Sequence, residues 1–333
     1  MAYIKLHREN LFYNLKELSL KAGNKNKLAV VLKDNAYGHG ILEIAKLANE
    51  FGINEAVVIN LQEALKIEHL FKNILVLNDT PIAKDNISFA ITSLDALKNA
   101  PKNAKLELKV DTGMHRNGIV ISELKEALNI IKQKELNLFG VFTHFRSADE
   151  LSSELCWQKK NFEEVKRVVL NSGFAPRFHS HNSAGLLRSQ TFNEDIARVG
   201  IAMYGYNEVP AIYNTPKLKP VLSLWAKKAS SRELKKGQRV GYGGDFVATK
   251  DMIVSTYDIG YGDGLFRGNS QNPLITADSL PILGRVSMDF ISLESVKDEV
   301  CIFNNAKTVA KHFNTISYEI VTALKADIKR VII

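Results

Sequence analysis

The chain has 333 residues, with 44 Lys and Arg against 36 Asp and Glu for a net charge of +8, and is 45% hydrophobic and 24% charged. That length and mix can bury a sizeable core and suit two domains, which excludes a disordered chain. The positive charge is spread without a basic run or an aromatic-interleaved basic patch, which argues against nucleic acid and suits a phosphorylated or carboxylated small molecule. No uncharged apolar run approaches the ~18 residues of a membrane span. Residues 1–10, with Lys5, Arg8 and Glu9, do not read as a secretory signal, so a cytoplasmic location is expected. Cys156 and Cys301 stand in no metal-ligand or redox spacing, and both are expected to be reduced, buried fillers; no metal site is expected.

Arg8 to Ala22 has helical spacing, with Leu11, Leu15 and Leu18 on one face. Strand candidates follow at 28–33, 55–59, 73–78, 87–92, 104–111, 136–145, 176–182 and 196–205, with helical patterns clearest at 41–51, 60–71, 121–134 and 151–172. Eight strands alternating with helices argue for a (β/α)8 TIM-type barrel. Asn207 to Pro220, with Pro210, Pro216 and Pro220, reads as a linker. Strand-like runs at 238–243, 252–260 and 281–294 then give way to helical patterns at 305–313 and 317–325. The expected division is an α/β barrel domain over residues 1–215 and a mainly β C-terminal domain over 216–333.

Lys33 stands where the apolar run from Leu28 to Leu32 opens into a Gly-rich loop. A lysine buried there would lose solvation, which lowers its pKa and frees the amine for Schiff-base chemistry with a carbonyl, whereas taken alone its plainer reading is a strand-end lysine that reaches water. Barrel active sites form at the carboxyl ends of the strands. Lys109, Asp111, His144, Asn182, Ser183 and Arg198 fall at those ends, although each alone has a plainer reading as a solvated polar residue. Ser183 precedes a short apolar segment and is expected to cap a helix; with the backbone of Gly200 and Ile201 it would form an anion site.

The segment from Lys33 to Gly40, KDNAYGHG, resembles the pyridoxal-phosphate lysine signature of the alanine racemases, with Asp34 where alanine is usual. The resemblance continues through Lys109–Gly118, Thr143-His144, His181–Ala184, Arg198–Gly205, Val240–Gly244, Gly260–Gly264 and Gly284–Asp289, in family order. It implies that Lys33 holds the cofactor covalently, that Tyr37 and Tyr318 bind its phosphate, and that Arg198 faces its pyridine nitrogen. His144, Asn182, Ser183, Gly200 and Ile201 would be further cofactor contacts. It further implies that Lys109, by the same resemblance a candidate for carbamylation, orients Arg116, that Arg116, Tyr261 and Met288 bind substrate, and that Asp289 supports their loop. An arginine rarely gives up its proton, so the ring nitrogen would stay unprotonated, which favours racemisation over transamination.

Racemisation needs proton removal on one face of the α-carbon and delivery on the other, and Lys33 and Tyr242 are the two bases implied. A phenol with pKa near ~10 is about one part in a thousand ionised at pH 7, so Tyr242 would need help from cations or donors such as Arg198 and His144. By resemblance, a homodimer supplies Tyr242 across its interface, and the product D-alanine serves peptidoglycan. Alternatives are a serine or lysine racemase on the same scaffold, a decarboxylase of the same architecture, and a non-catalytic pyridoxal-phosphate carrier. The chain ends in Arg330-Val331-Ile332-Ile333, away from the family's usual ending.

Overall fold

The computed structural model describes residues 1–333, which group into two compact units. One comprises Phe12–Ala36 and Ile44–Lys219. Its framework is eight parallel strands: β1 (Leu28–Val31), β2 (Glu55–Val58), β3 (Asn73–Val76), β4 (Ile87–Ile91), β5 (Lys105–Asp111), β6 (Asn137–Phe142), β7 (Arg177–His179) and β8 (Ala197–Val199). Each of β1 to β6 pairs with the next, and β8 pairs back with β1. Across the β7–β8 seam the Asp195 amide donates to Phe178 O at 3.2 Å and the Arg198 amide to His181 O at 2.9 Å. The expected barrel is therefore present and nearly closed. The fully buried β1 reads as a continuous apolar run because helices cover the outside.

The strands are shorter than the apolar runs suggested. The tails of 136–145, 176–182 and 196–205 leave the ladder after Phe142, His179 and Val199, and this irregular backbone carries His144, Asn182 and Gly200. The Pro-marked stretch before Pro220 is tied down, since Asn14 Nδ2 donates to Met203 O at 3.0 Å and to Lys219 O at 2.7 Å. On the helix Glu154–Asn171, Leu155, Gln158 and Phe162 face inward. Cys156 is one position off that face and exposed, contrary to the expectation; Cys301 is buried.

The second unit comprises Met1–Leu11, Tyr37–Glu43 and Pro220–Ile333, so the division is not a single cut near residue 215. Tyr3–Leu6, a strand the sequence reading missed, pairs antiparallel with Leu222–Leu234 and parallel with Lys329–Ile332. Leu222–Leu234 also pairs with Met252–Tyr257 and Glu299–Phe303, and Met252–Tyr257 with Ile291–Glu294. The expected strand at 281–294 is regular only in its last four residues, and the one at 238–243 only at Arg239–Val240. No helix is long and apolar enough to cross a membrane.

Candidate active site

Leu32 extends the β1 pairing, its amide donating to Val57 O at 2.8 Å. Past Lys33 the chain enters a left-handed turn: Asp34, Asn35 and Ala36 have φ +54° and Tyr37 +50°. Each such non-glycine residue costs roughly 1–2 kcal/mol, least for Asp and Asn. The Glu63 carboxylate secures the turn, accepting from the amides of Asn35 and Ile59 at 3.1 Å each. Lys33 is not the buried amine expected: its side chain is 33% exposed, and Nζ lies 3.3 Å from the Asp34 carboxylate.

Around the barrel rim, cations converge. Burial, then the charges of Arg116 and Arg198, push the buried Lys109 down to about 8, and its Nζ donates to Asn117 Oδ1. The nearby Asp111 spends Oδ1 on the amides of Gly113, Met114 and His115. His144 is held down to about 3 by burial and then by the fields of Arg198, Arg116, Lys109 and Lys33. His144 is therefore a neutral imidazole at pH 7, which leaves it a hydrogen-bond donor rather than a cation among the helpers considered for Tyr242. Burial lowers Arg198 to about 10, leaving it charged.

The anion cradle differs in one detail from the expectation. Asn182, not Ser183, caps the helix Ser183–Arg188, its Oδ1 accepting from Gly185 N at 2.9 Å. Ser183 Oγ instead accepts from Gly200 N at 3.0 Å and Ala202 N at 3.3 Å. The Ile201 amide between them has no acceptor in the chain. Ser183 thus braces the loop after β8 and leaves the Ile201 amide unengaged.

Arg198 Nη2 donates to Thr143 O at 2.6 Å and Ser180 O at 3.3 Å, and Nη1 to His179 O at 3.1 Å and to His179 Nδ1. Its Nε–H remains uncommitted. Sequence reading missed the network beneath, Glu107, His179 and Arg177; the signal for Glu107 was the charge on every second residue of Lys105–Asp111, which in a strand shares one face.

In the second unit the Tyr37 and Tyr318 rings lie side by side, with centroids 5.7 Å apart. Their turn has no room for a side chain at Gly38 (φ +74°), where a Cβ would run into Val321 O. Tyr261 and Met288 are brought together, because Tyr261 N donates to Ser287 O at 3.0 Å and Gly262 N to Met288 O at 2.8 Å. Asp289 Oδ1 would lie 3.7 Å from a Cβ on Gly262. Tyr242 opens a one-turn 3-10 segment between Gly241 (φ +75°) and Gly243 (φ +71°), and is 61% exposed.

Residues 6–208 match the family described as the alanine racemase N-terminal domain, and residues 221–332 the alanine racemase C-terminal domain. The alanine racemase of a Nitratiruptor species is 50% identical over 335 residues, covering 99% of both chains. That of Campylobacter jejuni serotype O:2 is 42% identical, covering 100% of both. The solved alanine racemase from Bartonella henselae with covalently bound pyridoxal phosphate superposes with a TM-score of 0.86 at 25% identity, over 100% of this chain and 99% of the other. The chain belongs to the alanine racemase family.

Proposed function

We propose that the protein interconverts L- and D-alanine, using pyridoxal phosphate held on Lys33 and proton transfer by Lys33 and Tyr242. The observation that carries the reading is Arg198, a charged guanidinium only 5% exposed whose terminal nitrogens are pinned to backbone while Nε–H is left over. It would meet the pyridine nitrogen with a donor that keeps its own proton. The rest of the donor set fits the cofactor: an amine at a strand end, a braced cradle with the Ile201 amide uncommitted, and adjacent phenols.

Bound pyridoxal phosphate supplies an electron sink that acidifies the α-C–H of an amino acid attached to it. Within the barrel, Asn182, Ser183, Gly200 and Ile201 would hold the phosphate, and the family resemblance gives Tyr37 and Tyr318 the same role. His144, being neutral, offers a hydrogen bond without adding charge. Arg116, oriented by Lys109, binds the substrate carboxylate; Tyr261 and Met288 confine the side chain, and Asp289 holds their loop. Lys33 handles the α-proton of the D-isomer and Tyr242 that of the L-isomer. A second copy supplies Tyr242 in a homodimer, in keeping with its exposure in the single chain. The product would serve peptidoglycan synthesis in the cytoplasm.

Chiral chromatography of L-alanine, L-serine and L-lysine after separate incubation with the pyridoxal-phosphate-loaded protein tests this. D-alanine formed fastest is expected. Another D-isomer in the lead would refute the pocket assignment, and no D-isomer despite bound cofactor would refute catalysis and favour a carrier.

A further inference from the structure

We propose that Glu107 is a positioning residue for this reaction, acting through His179 to hold Arg198 in place. The inference rests on the reading of Arg198 given above, but its geometry stands wholly inside the barrel. Glu107 and His179 are both fully buried, and Arg198 is 5% exposed. Glu107 Oε2 lies 2.6 Å from His179 Nε2, and His179 Nδ1 meets Arg198 Nη1.

The partners dictate the proton positions. An arginine nitrogen only donates, so His179 Nδ1 must be the acceptor and the ring proton must sit on Nε2, where it is donated to Glu107. A second proton on the ring would place a third cation between Arg177 and Arg198. Burial outweighs the pull of Glu107 on that proton, and the charges of Arg198 and Arg177 add a smaller push in the same direction, so that His179 is held down to about 4. Burial alone would raise Glu107, but Arg177 and His179 more than compensate, so it stays ionised.

The surroundings fix the carboxylate and the ring in turn. Glu107 Oε1 accepts from Ser88 Oγ and from Arg177 Nη2, each at 2.5 Å. Gly140 sits opposite Glu107 in the β5–β6 ladder, and a Cβ there would come within 2.6 Å of Oε2. Phe142 stacks on the imidazole with centroids 4.9 Å apart and planes 5° apart, and the Arg198 guanidinium lies 5.1 Å from the same ring. A carboxylate that only neutralised Arg177 would not need the imidazole, and Glu55 Oε2 already accepts from Arg177 Nη1 at 2.8 Å.

Loosening Arg198 would weaken its hold on the ring nitrogen and raise the abortive side reaction. That reaction would transfer the α-proton and amino group of alanine to the cofactor, leaving pyridoxamine phosphate, with water cleaving the C=N bond and supplying the keto oxygen of the pyruvate released.

The test compares Glu107→Gln, His179→Gln and, as a control, Glu55→Gln, which removes a carboxylate from Arg177 without touching His179. Holoenzyme is incubated with L-alanine, and pyruvate is measured per D-alanine formed, alongside the absorption spectrum of the bound cofactor. Glu107→Gln and His179→Gln should each raise the ratio by about tenfold, the size of one hydrogen bond to a charged group. Glu55→Gln should leave it unchanged. An unchanged ratio in the first two, or an equal rise in all three, overturns the proposal. If Glu107→Gln does not fold, His179→Gln decides alone. Nitrogen-15 NMR of His179 in the wild type should show the proton on Nε2, and finding it on Nδ1 overturns the relay. A wild type that binds cofactor yet makes no D-alanine instead overturns the racemase reading.

Discussion

Lys33 Nζ and the Asp34 carboxylate stand 3.3 Å apart, the amine paired with the next residue in the chain. Both side chains reach solvent, so such a pair contributes at most ~1 kcal/mol. Attachment of the amine to an aldehyde would break it. Asp34→Asn removes the charge but keeps a residue tolerant of φ +54°. Pyridoxal phosphate should therefore attach faster to apo Asp34→Asn by no more than about fivefold, as followed by stopped-flow absorbance. Slower attachment would mean that Asp34 assists Lys33.

Ser183 Oγ links two amides of the loop that follows β8. Ser183→Ala leaves the Gly200 and Ala202 amides without an acceptor at a cost of about 1–3 kcal/mol. Cofactor affinity should fall by about tenfold or more in equilibrium titration, with the fold retained. Unchanged affinity would remove the loop from the phosphate site.

Lys109 carries a pH signature. In the unfolded chain its amine is charged up to its ordinary pKa of 10.5, whereas in the fold it is charged only up to about 8. The unfolded chain therefore binds more protons between those values, and stability rises with pH across that window. Below it, the folded protein bears a cation set against Arg116 and Arg198. Lys109→Met should melt higher than the wild type at pH 7, with the gap closing between pH 8 and 10.5. The ammonium that gives up its proton can add carbon dioxide as the neutral amine and release a second proton, so that a positive charge is replaced by a negative carbamate. Bicarbonate should thus raise the melting temperature of the wild type and not that of Lys109→Met; equal responses would rule out carbamylation as the cause.

Gly38 and Gly23 both have positive φ, +74° and +93°, but only Gly38 faces backbone, with Val321 C 2.9 Å from a Cβ and Val321 O nearer still. Gly23→Ala should cost roughly 1 kcal/mol from φ alone, and Gly38→Ala more than about 3 kcal/mol because a backbone must move. Urea midpoints compare the two. Equal losses would show that the turn before the Ile41–Phe51 helix yields easily.

The barrel and much of its rim were legible because a charge that interrupts or ends an apolar strand is conspicuous, as at Lys33 and Arg198. Glu107 escaped notice because alternating charge resembles an exposed strand face until the strand is known to line a barrel. The left-handed turn gave only half a sign, since Asp34 and Asn35 tolerate positive φ but Ala36 and Tyr37 carry no preference for it. Tyr3–Leu6 was too short to register, and its partners lie at Leu222–Trp225 and Lys329–Ile332. The swap of roles between Asn182 and Ser183 is a shift of one residue at a helix start, which spacing does not resolve.

Tyr242 offers the most direct test of the two-base reading. Tyr242→Phe removes one oxygen from an exposed side chain in a glycine-rich turn, so folding and cofactor absorbance should be unchanged. Loss of a general acid–base group should lower the rate of D-alanine formation from L-alanine by about 10²–10⁴-fold. A Tyr242→Phe protein that racemises alanine at the wild-type rate would contradict the assignment of Tyr242 as the base opposite Lys33.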